Sequence, residues 1–439
     1  MVVRSACVAI IGVAGWLFLA LPAGSVAHVA EPFVQSLTQA LERNPEIKVA
    51  QANLAAAQER LPQSRAVLMP NVAVNVTPNY NRNDWQGGGL TESSLATGVT
   101  LSQLLYNRPA LFAFEQTTPW ISAYADDLDL AVQSVFFKVA KVTVSLLQAR
   151  EIARLADNNR RVMQQHLAST RSRHQVGEIT RTSVSQAEAR LASAEADKTR
   201  ADNDVAVSHA QFVEVVGIPA PEGLALPGFR QQPGEGPLEG WLAQLEQRPD
   251  MRATGKRLTV AELSVEQERA GHWPTVALTS SLNHTWQRSS TVTAPDEVDK
   301  YNLGMKMEMP IFAGGMTLSK TAESKARRDA QWAQQDLLRR QAYREIEKAY
   351  LDLQSNQALA TSFNSIVAAS KMARDGVERE FRVGSRTALD LLDAEHELFT
   401  NQTELAKNRY TLELARFQML LAVGRLTLEE LSSSPVSAP

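Results

Sequence analysis

The stretch REFRVGSRTALDLLDAEHEL (Arg379–Leu398) has an earlier counterpart, RSRHQVGEITRTSVSQAEARL (Arg171–Leu191). Each carries a Val-Gly pair, a few polar residues, a Thr, and then a helix-forming run with Ala-Glu at the matching place. One helix–turn–helix is thus written twice, about two hundred residues apart, and that duplication sets the architecture.

The rest of the chain follows the same repeat. A shift of 204 residues lays Leu41-Glu42 on Leu245-Glu246, Pro45 on Pro249, Ala57 on Ala261, Pro70 on Pro274 and Val72-Ala73 on Val276-Ala277. At 206, Gly98 meets Gly304; at 207, Val176-Gly177 meets Val383-Gly384 and Val216-Gly217 meets Val423-Gly424. A register that drifts this little over so long a span marks two structural repeats. The expected boundaries are a first repeat over 28–216, a Pro/Gly-rich linker over 217–240, a second repeat over 241–426 and a disordered tail over 427–439. Residues 1–27 read as a secretory signal, with Arg4, an apolar core over Ala6–Leu21 and a small-residue cleavage site at Ser25–Ala27. A membrane anchor is the alternative, but the core is short for a span and no stop-transfer charges follow.

Charge is nearly balanced, 45 Lys and Arg against 48 Asp and Glu, without the basic excess of a nucleic-acid binder. The single cysteine, Cys7, falls inside the signal, so no disulfide, thiolate chemistry or lipid anchor is expected. After the signal no uninterrupted apolar run of about 18 residues follows, and no transmembrane helix is expected. An exported chain of this kind is either soluble or enters a membrane as β-strands. The seven histidines are scattered, and neither an H-E-x-x-H nor a phosphate-loop pattern is present. Asp393, His396 and Glu397 have a spacing that a metal accepts, but they read better as a solvated coiled-coil face. No catalytic, cofactor or metal site is expected, and the chain does not read as an enzyme.

Two alternating segments stand in each repeat, between a helix of about 20 residues (Pro45–Leu68; Pro249–Gly271) and a much longer one. PNVAVNVT (Pro70–Thr77) sets Val72, Val74 and Val76 against Ala73, Asn75 and Thr77. YNLGMKMEMPI (Tyr301–Ile311) sets Tyr301, Leu303, Met305, Met307, Met309 and Ile311 against Asn302, Gly304, Lys306 and Glu308. Period two with one apolar and one hydrophilic face suits a membrane β-barrel wall, in strands of roughly 10–13 residues. A soluble hairpin with one buried face has the same pattern. The polar stretches Asn81–Ser93 and Gln287–Asp299 are expected to be surface loops. Four strands leave edges that lipid does not tolerate, and a barrel needs about eight or more. Three chains would supply twelve.

The long helices carry heptads: Leu391, Leu398, Leu405, Leu412 and Met419; Val184, Leu191, Val205 and Phe212, with Lys198 as the one break; Ile346, Leu353, Ala360 and Val367. Sustained sevens mean helices supercoiled on neighbours. The run from Pro109 to Arg173 would make a helix roughly 100 Å long.

FRVGSRTALDLLDAEHEL, MPIFAGG (Met309–Gly315), the twofold repeat and the export signal together resemble the TolC-like outer-membrane factor family, over about Leu37–Leu426. The resemblance implies a mainly α fold with membrane β: two tandem repeats, each a β-strand pair and a long coiled-coil helical hairpin. Three chains would form a homotrimer, with a 12-stranded β-barrel in outer-membrane lipid and a periplasmic α-barrel. It implies the exit duct of a tripartite efflux pump or type I secretion system. Its partners would be a periplasmic adaptor protein and an inner-membrane transporter of RND, ABC or MFS type. The repeated turns would be the docking tips, with Val176, Gly177 and Thr180 in the first and Val383, Gly384, Ser385 and Thr387 in the second.

By the same resemblance, Arg386, Asp390 and Asp393 match positions that hold the entrance closed and ring its narrowest point. Phe381 stands where some relatives have a Tyr whose hydroxyl helps latch the tip. Asp390 and Asp393, three apart, share a helix face. In a trimer they would form rings that bind cations and raise some of their own carboxyl pKa values by crowding. Asp390 also completes a T-x-x-D capping box with Thr387, and the two roles are compatible. Asp393 has no such capping role. The first repeat has Ser183 and Gln186 at the matching places, so one hairpin per chain carries the acids. A periplasmic adaptor is the alternative reading, but it would have one hairpin flanked by small β domains.

Overall fold

The computed structural model describes residues 31–229, 232–289 and 296–431; the expected signal and most of the expected tail lie outside them. The first repeat runs α1 (Glu31–Arg43), α2 (Pro45–Gln58), α3 (Arg60–Val67), β1 (Asn71–Trp85), β2 (Gly88–Tyr106), α4 (Arg108–Glu115), α5 (Thr117–Gln175) and α6 (Arg181–Val216). The second runs α7 (Leu238–Leu242), α8 (Pro249–Arg269), β3 (Thr275–Ser289), β4 (Glu297–Glu308), α9 (Met316–Arg382), α10 (Ala388–Ala422) and α11 (Leu428–Leu431). Pro45 and Pro249 each sit in a first helical turn, where the missing N–H breaks no bond.

The four strands form one antiparallel sheet in the order β1-β2-β3-β4. Register makes the alternation continuous across it. Val74, Val99, Leu282 and Tyr301 lie side by side, as do Val72, Leu101, Ser280 and Leu303. One residue along, Asn75, Gly98, Asn283 and Lys300 form a hydrophilic row. Thus the whole sheet, and not only single strands, has one predominantly apolar face and one polar face.

The strands are longer than expected, with β1 and β3 at 15 residues, β2 at 19 and β4 at 12. Most of Asn81–Ser93, expected as a loop, is paired strand: β1 runs to Trp85 and turns at Gln86-Gly87, with Gly87 at φ 104°. Polar side chains do not stop a ladder that is already in register. Fifteen residues at about 3.3 Å each exceed the bilayer core, so the hydrophilic ends stand clear of lipid. The second expected loop shrinks likewise, since β3 continues to Ser289 and β4 begins at Glu297. At the other end, β4 stops at Glu308, short of the expected Ile311, which is 95% exposed. Pro310 has no N–H to offer a ladder.

Below the sheet, α5 with α6 and α9 with α10 form two antiparallel hairpins. Helix α9 has 67 residues, about 100 Å. The helix expected from Pro109 is broken at Gln116, between α4 and α5. Pro119 cannot donate to the Glu115 carbonyl, and the Thr117 hydroxyl instead donates to the Phe114 carbonyl (2.6 Å).

Partway along α5, where α6 and α10 end, lies the main core. Phe33, Leu37 and Ile47 pack with Val135, Phe136, Val139, Leu146, Phe212, Phe417 and Leu420. Leu224 and Phe229 of the linker join it, so the linker is a packed strap. This core answers one expectation differently. A window of α4–α5 is long and apolar enough to cross a membrane, although interrupted polar residues hide it from a search for unbroken runs. Nearly half of that window is buried inside the fold. The expected tail also starts late, because residues 427–431 are ordered by α11 and Leu431 is fully buried.

Candidate functional site

The two turns between paired helices are built alike. Gly177 (φ 80°) and Gly384 (φ 82°) take the left-handed conformation that lets a helix end abruptly. The Glu178 N–H donates to the Arg173 carbonyl (2.9 Å), and at the matching place the Ser385 N–H donates to the Glu380 carbonyl (2.9 Å). Thr180 and Thr387 then open the next helices, accepting from the N–H groups of Ser183 (3.3 Å) and Asp390 (3.2 Å). Val176 and Val383, just before the glycines, are 72% and 79% exposed. The ends of both hairpins thus each hold an apolar side chain out in water.

The candidate gate residues divide among three tasks. Asp390 completes the capping box: the Thr387 N–H (2.9 Å) and hydroxyl (2.8 Å) both donate to its Oδ2. These bonds hold its carboxyl below the ordinary aspartate value. Within this chain the direction is thus opposite to the crowding expected of a ring. Arg386 spans its own turn to Glu380 (2.9 Å), which raises the guanidinium pKa further. Asp393 pairs with Arg190 of the other hairpin. Phe381 has no hydroxyl, but the Arg173 guanidinium from α5 lies 4.7 Å from its ring centroid and joins the two tips.

Sequence reasoning missed several of these partners: Arg190, Arg173, Glu380 and a polar node one turn further in. There Glu395 of α10, nearly buried, lies 3.5 Å from His166 Nε2 of α5 and 3.6 Å from Arg374 of α9. Arg190 was findable, because the repeat register sets it opposite Glu397 while Gln186 falls opposite Asp393. Asp393, His396 and Glu397 are not gathered: among the described residues, no three His, Cys, Asp or Glu side chains converge on a metal-sized point.

Strand pairs with an apolar face, joined to long helices (α9 reaches about 100 Å) that end in exposed tips, define an outer-membrane channel with a periplasmic helical conduit. The chain belongs to the outer membrane efflux protein family, whose model matches residues 36–217 and 243–425. It is 26% identical over 412 residues to the outer membrane efflux protein BepC of Brucella suis, covering 92% of this chain and 88% of that one. It is also 26% identical over 427 residues to the outer membrane protein TolC of Vibrio cholerae, covering 94% and 96%. The solved structure of CusC, described by its transmembrane channel formation, superposes with a TM-score of 0.80 at 18% identity, covering 92% and 95%. The protein is therefore an outer-membrane exit duct with a long periplasmic part, and the adaptor reading finds no support.

Proposed function

We infer that three copies of the chain assemble into the working duct, exported by residues 1–27. The observation that carries this is the sheet: among the described residues β1 and β4 are edge strands, each paired on one side alone, beside an apolar face that spans all four strands. Edge strands in lipid leave their N–H and C=O groups without water, so the sheet has to close on other copies. Three sheets give twelve strands, and three pairs of hairpins give the tunnel below.

In this reading the tips at Val176–Thr180 and Val383–Thr387 dock on a periplasmic adaptor fed by an inner-membrane transporter of RND, ABC or MFS type. Arg386, Asp390, Asp393 and Phe381 form the resting gate, and tip engagement splays the inner hairpins. The cargo is set by the transporter, since a wide water-filled duct makes few specific contacts. The test is detergent extraction followed by mass measurement and planar-bilayer recording. Extraction only with detergent, a mass of three chains and small resting conductance support the duct. A chain that osmotic shock releases as a soluble monomer, without channel activity, overturns it.

A further inference from the structure

Arg190 and Asp393 stand on different hairpins, 203 residues apart, and their side chains form a guanidinium–carboxylate pair. The duplication makes the pair informative. The shift that lays Gly177 on Gly384 also lays Gln186 on Asp393 and Arg190 on Glu397. One helix face therefore occurs twice in the chain, with an amide and a cation in the first copy and two acids in the second. Unlike copies attract and two acidic copies would repel, which favours placing the second hairpin's face against the first.

An apolar anchor adjoins the pair. Leu392 is buried with Met163 and Leu167 of α5 and Ala187 and Ala194 of α6. The start of α10 thus docks on the first hairpin through Leu392 and is tied beside it by Arg190. The other two charged gate candidates make no such crossing, for Asp390 caps its own helix and Arg386 pairs inside its own turn. Asp393 is the charged gate residue that reaches across hairpins.

We propose that Arg190 is a positioning residue of the gate. It holds Asp393 against α6 and neutralises it while the duct is closed, and it releases the carboxylate to the passage when the hairpins part. Opening and cation preference then become one event, because the acidic ring at the level of Asp393 is uncompensated only in the open duct. This rests on the tip being the gate.

The test records the purified mature protein in planar bilayers, comparing Arg190→Gln, Asp393→Asn, their double variant and Arg190→Lys, with Arg386→Ala as a control for the gate. Each neutralising change is expected to raise resting conductance roughly two- to five-fold, the range an exposed ion pair supports, with the double variant no higher than either single. Arg190→Lys stays near the parent. Reversal potentials in a KCl gradient separate the roles: Arg190→Gln bares the carboxylate and shifts the channel towards cations, whereas Asp393→Asn does not. A purely structural Arg190 would not split the two variants in selectivity. Additive effects, or unchanged selectivity in Arg190→Gln, overturn the proposal, and an Arg386→Ala channel that still opens leaves the gate reading standing. If Arg386→Ala is also silent, the gate reading fails and takes the proposal with it. Should Arg190→Gln not assemble, Asp393→Asn decides, since parent-like resting conductance there overturns the latch.

Discussion

Thr387 and Asp390 cap each other at the start of α10, each side chain accepting the other's backbone N–H (2.9 and 3.2 Å). The first tip has half of this arrangement: Ser183 donates its N–H to Thr180, and its hydroxyl reaches only the Thr180 hydroxyl (3.2 Å). Duplicated turns have thus diverged in how firmly the outgoing helix is started.

Thr387→Ala should therefore destabilise the first turn of α10 by about 1 kcal/mol, read as faster amide exchange over residues 388–391. The pH behaviour has a definite sign. Asp390 has its carboxyl lowered from 3.8 by Thr387, so the cap is fully present above 3.8 and is lost as pH falls through the depressed folded value. Between about pH 5 and about pH 8 the corrected protection should stay flat. A change inside that window would mean that some other group controls the tip.

Gly98 faces Asn283 across β2 and β3, and a Cβ there would lie 2.0 Å from Asn283 Oδ1 and 3.0 Å from the Leu282 carbonyl oxygen. Gly98→Ala is expected to impair folding of the sheet, seen as a smaller heat-resistant folded fraction on gels. Pairing it with Asn283→Ala removes the side-chain half of the clash and should recover part of the loss. Equal loss in the single and double variants would place the whole restraint on the Leu282 backbone.

Much of this fold is legible in the sequence because it repeats. Alternation at Val72–Val76, sevens at Leu391–Met419 and paired Val-Gly turns are local patterns, and each predicts its element directly. Strand ends are less legible, since Asn81–Trp85 is polar and yet stays paired once the neighbouring strand holds the register. The break at Gln116 depends on one missing amide at Pro119. At the candidate gate, the capping by Asp390 follows T-x-x-D as predicted, while the partners Arg190 and Arg173 come from a hairpin two hundred or so residues away, beyond any local pattern.

Phe381 meets the other hairpin through its ring, with the Arg173 guanidinium 4.7 Å from the centroid. Stacking of Arg173 on the half-buried Phe381 is worth about 1 kcal/mol, so Phe381→Ala and Arg173→Gln should each loosen the tip by about that amount, and their combination by no more. Phe381→Tyr keeps the face that the guanidinium uses and should behave as the parent. Resting conductance in bilayers measures all four. A tighter resting state in Phe381→Tyr would mean that the added hydroxyl finds a partner of its own.

Arg248 fixes the join between α8 and the end of the second hairpin. Its guanidinium donates to the Ala422 carbonyl (2.8 Å) and pairs with Asp250 (2.7 Å) and Glu345 (3.0 Å), while its Cα would lie 3.0 Å from a Cβ at Gly424. Gly424 must therefore be glycine twice over, for its positive φ and for this approach. Removing the arginine leaves Asp250 largely buried without its cation and the carbonyl without its donor, and such a loss costs about 3 kcal/mol. Arg248→Ala should lower the guanidinium midpoint of the detergent-solubilised protein accordingly. Arg248→Lys retains the charge but not the fork that serves three acceptors at once, so it should fall between the two. If Arg248→Lys matches the parent, charge alone holds the join; if it matches Arg248→Ala, the geometry of the fork does.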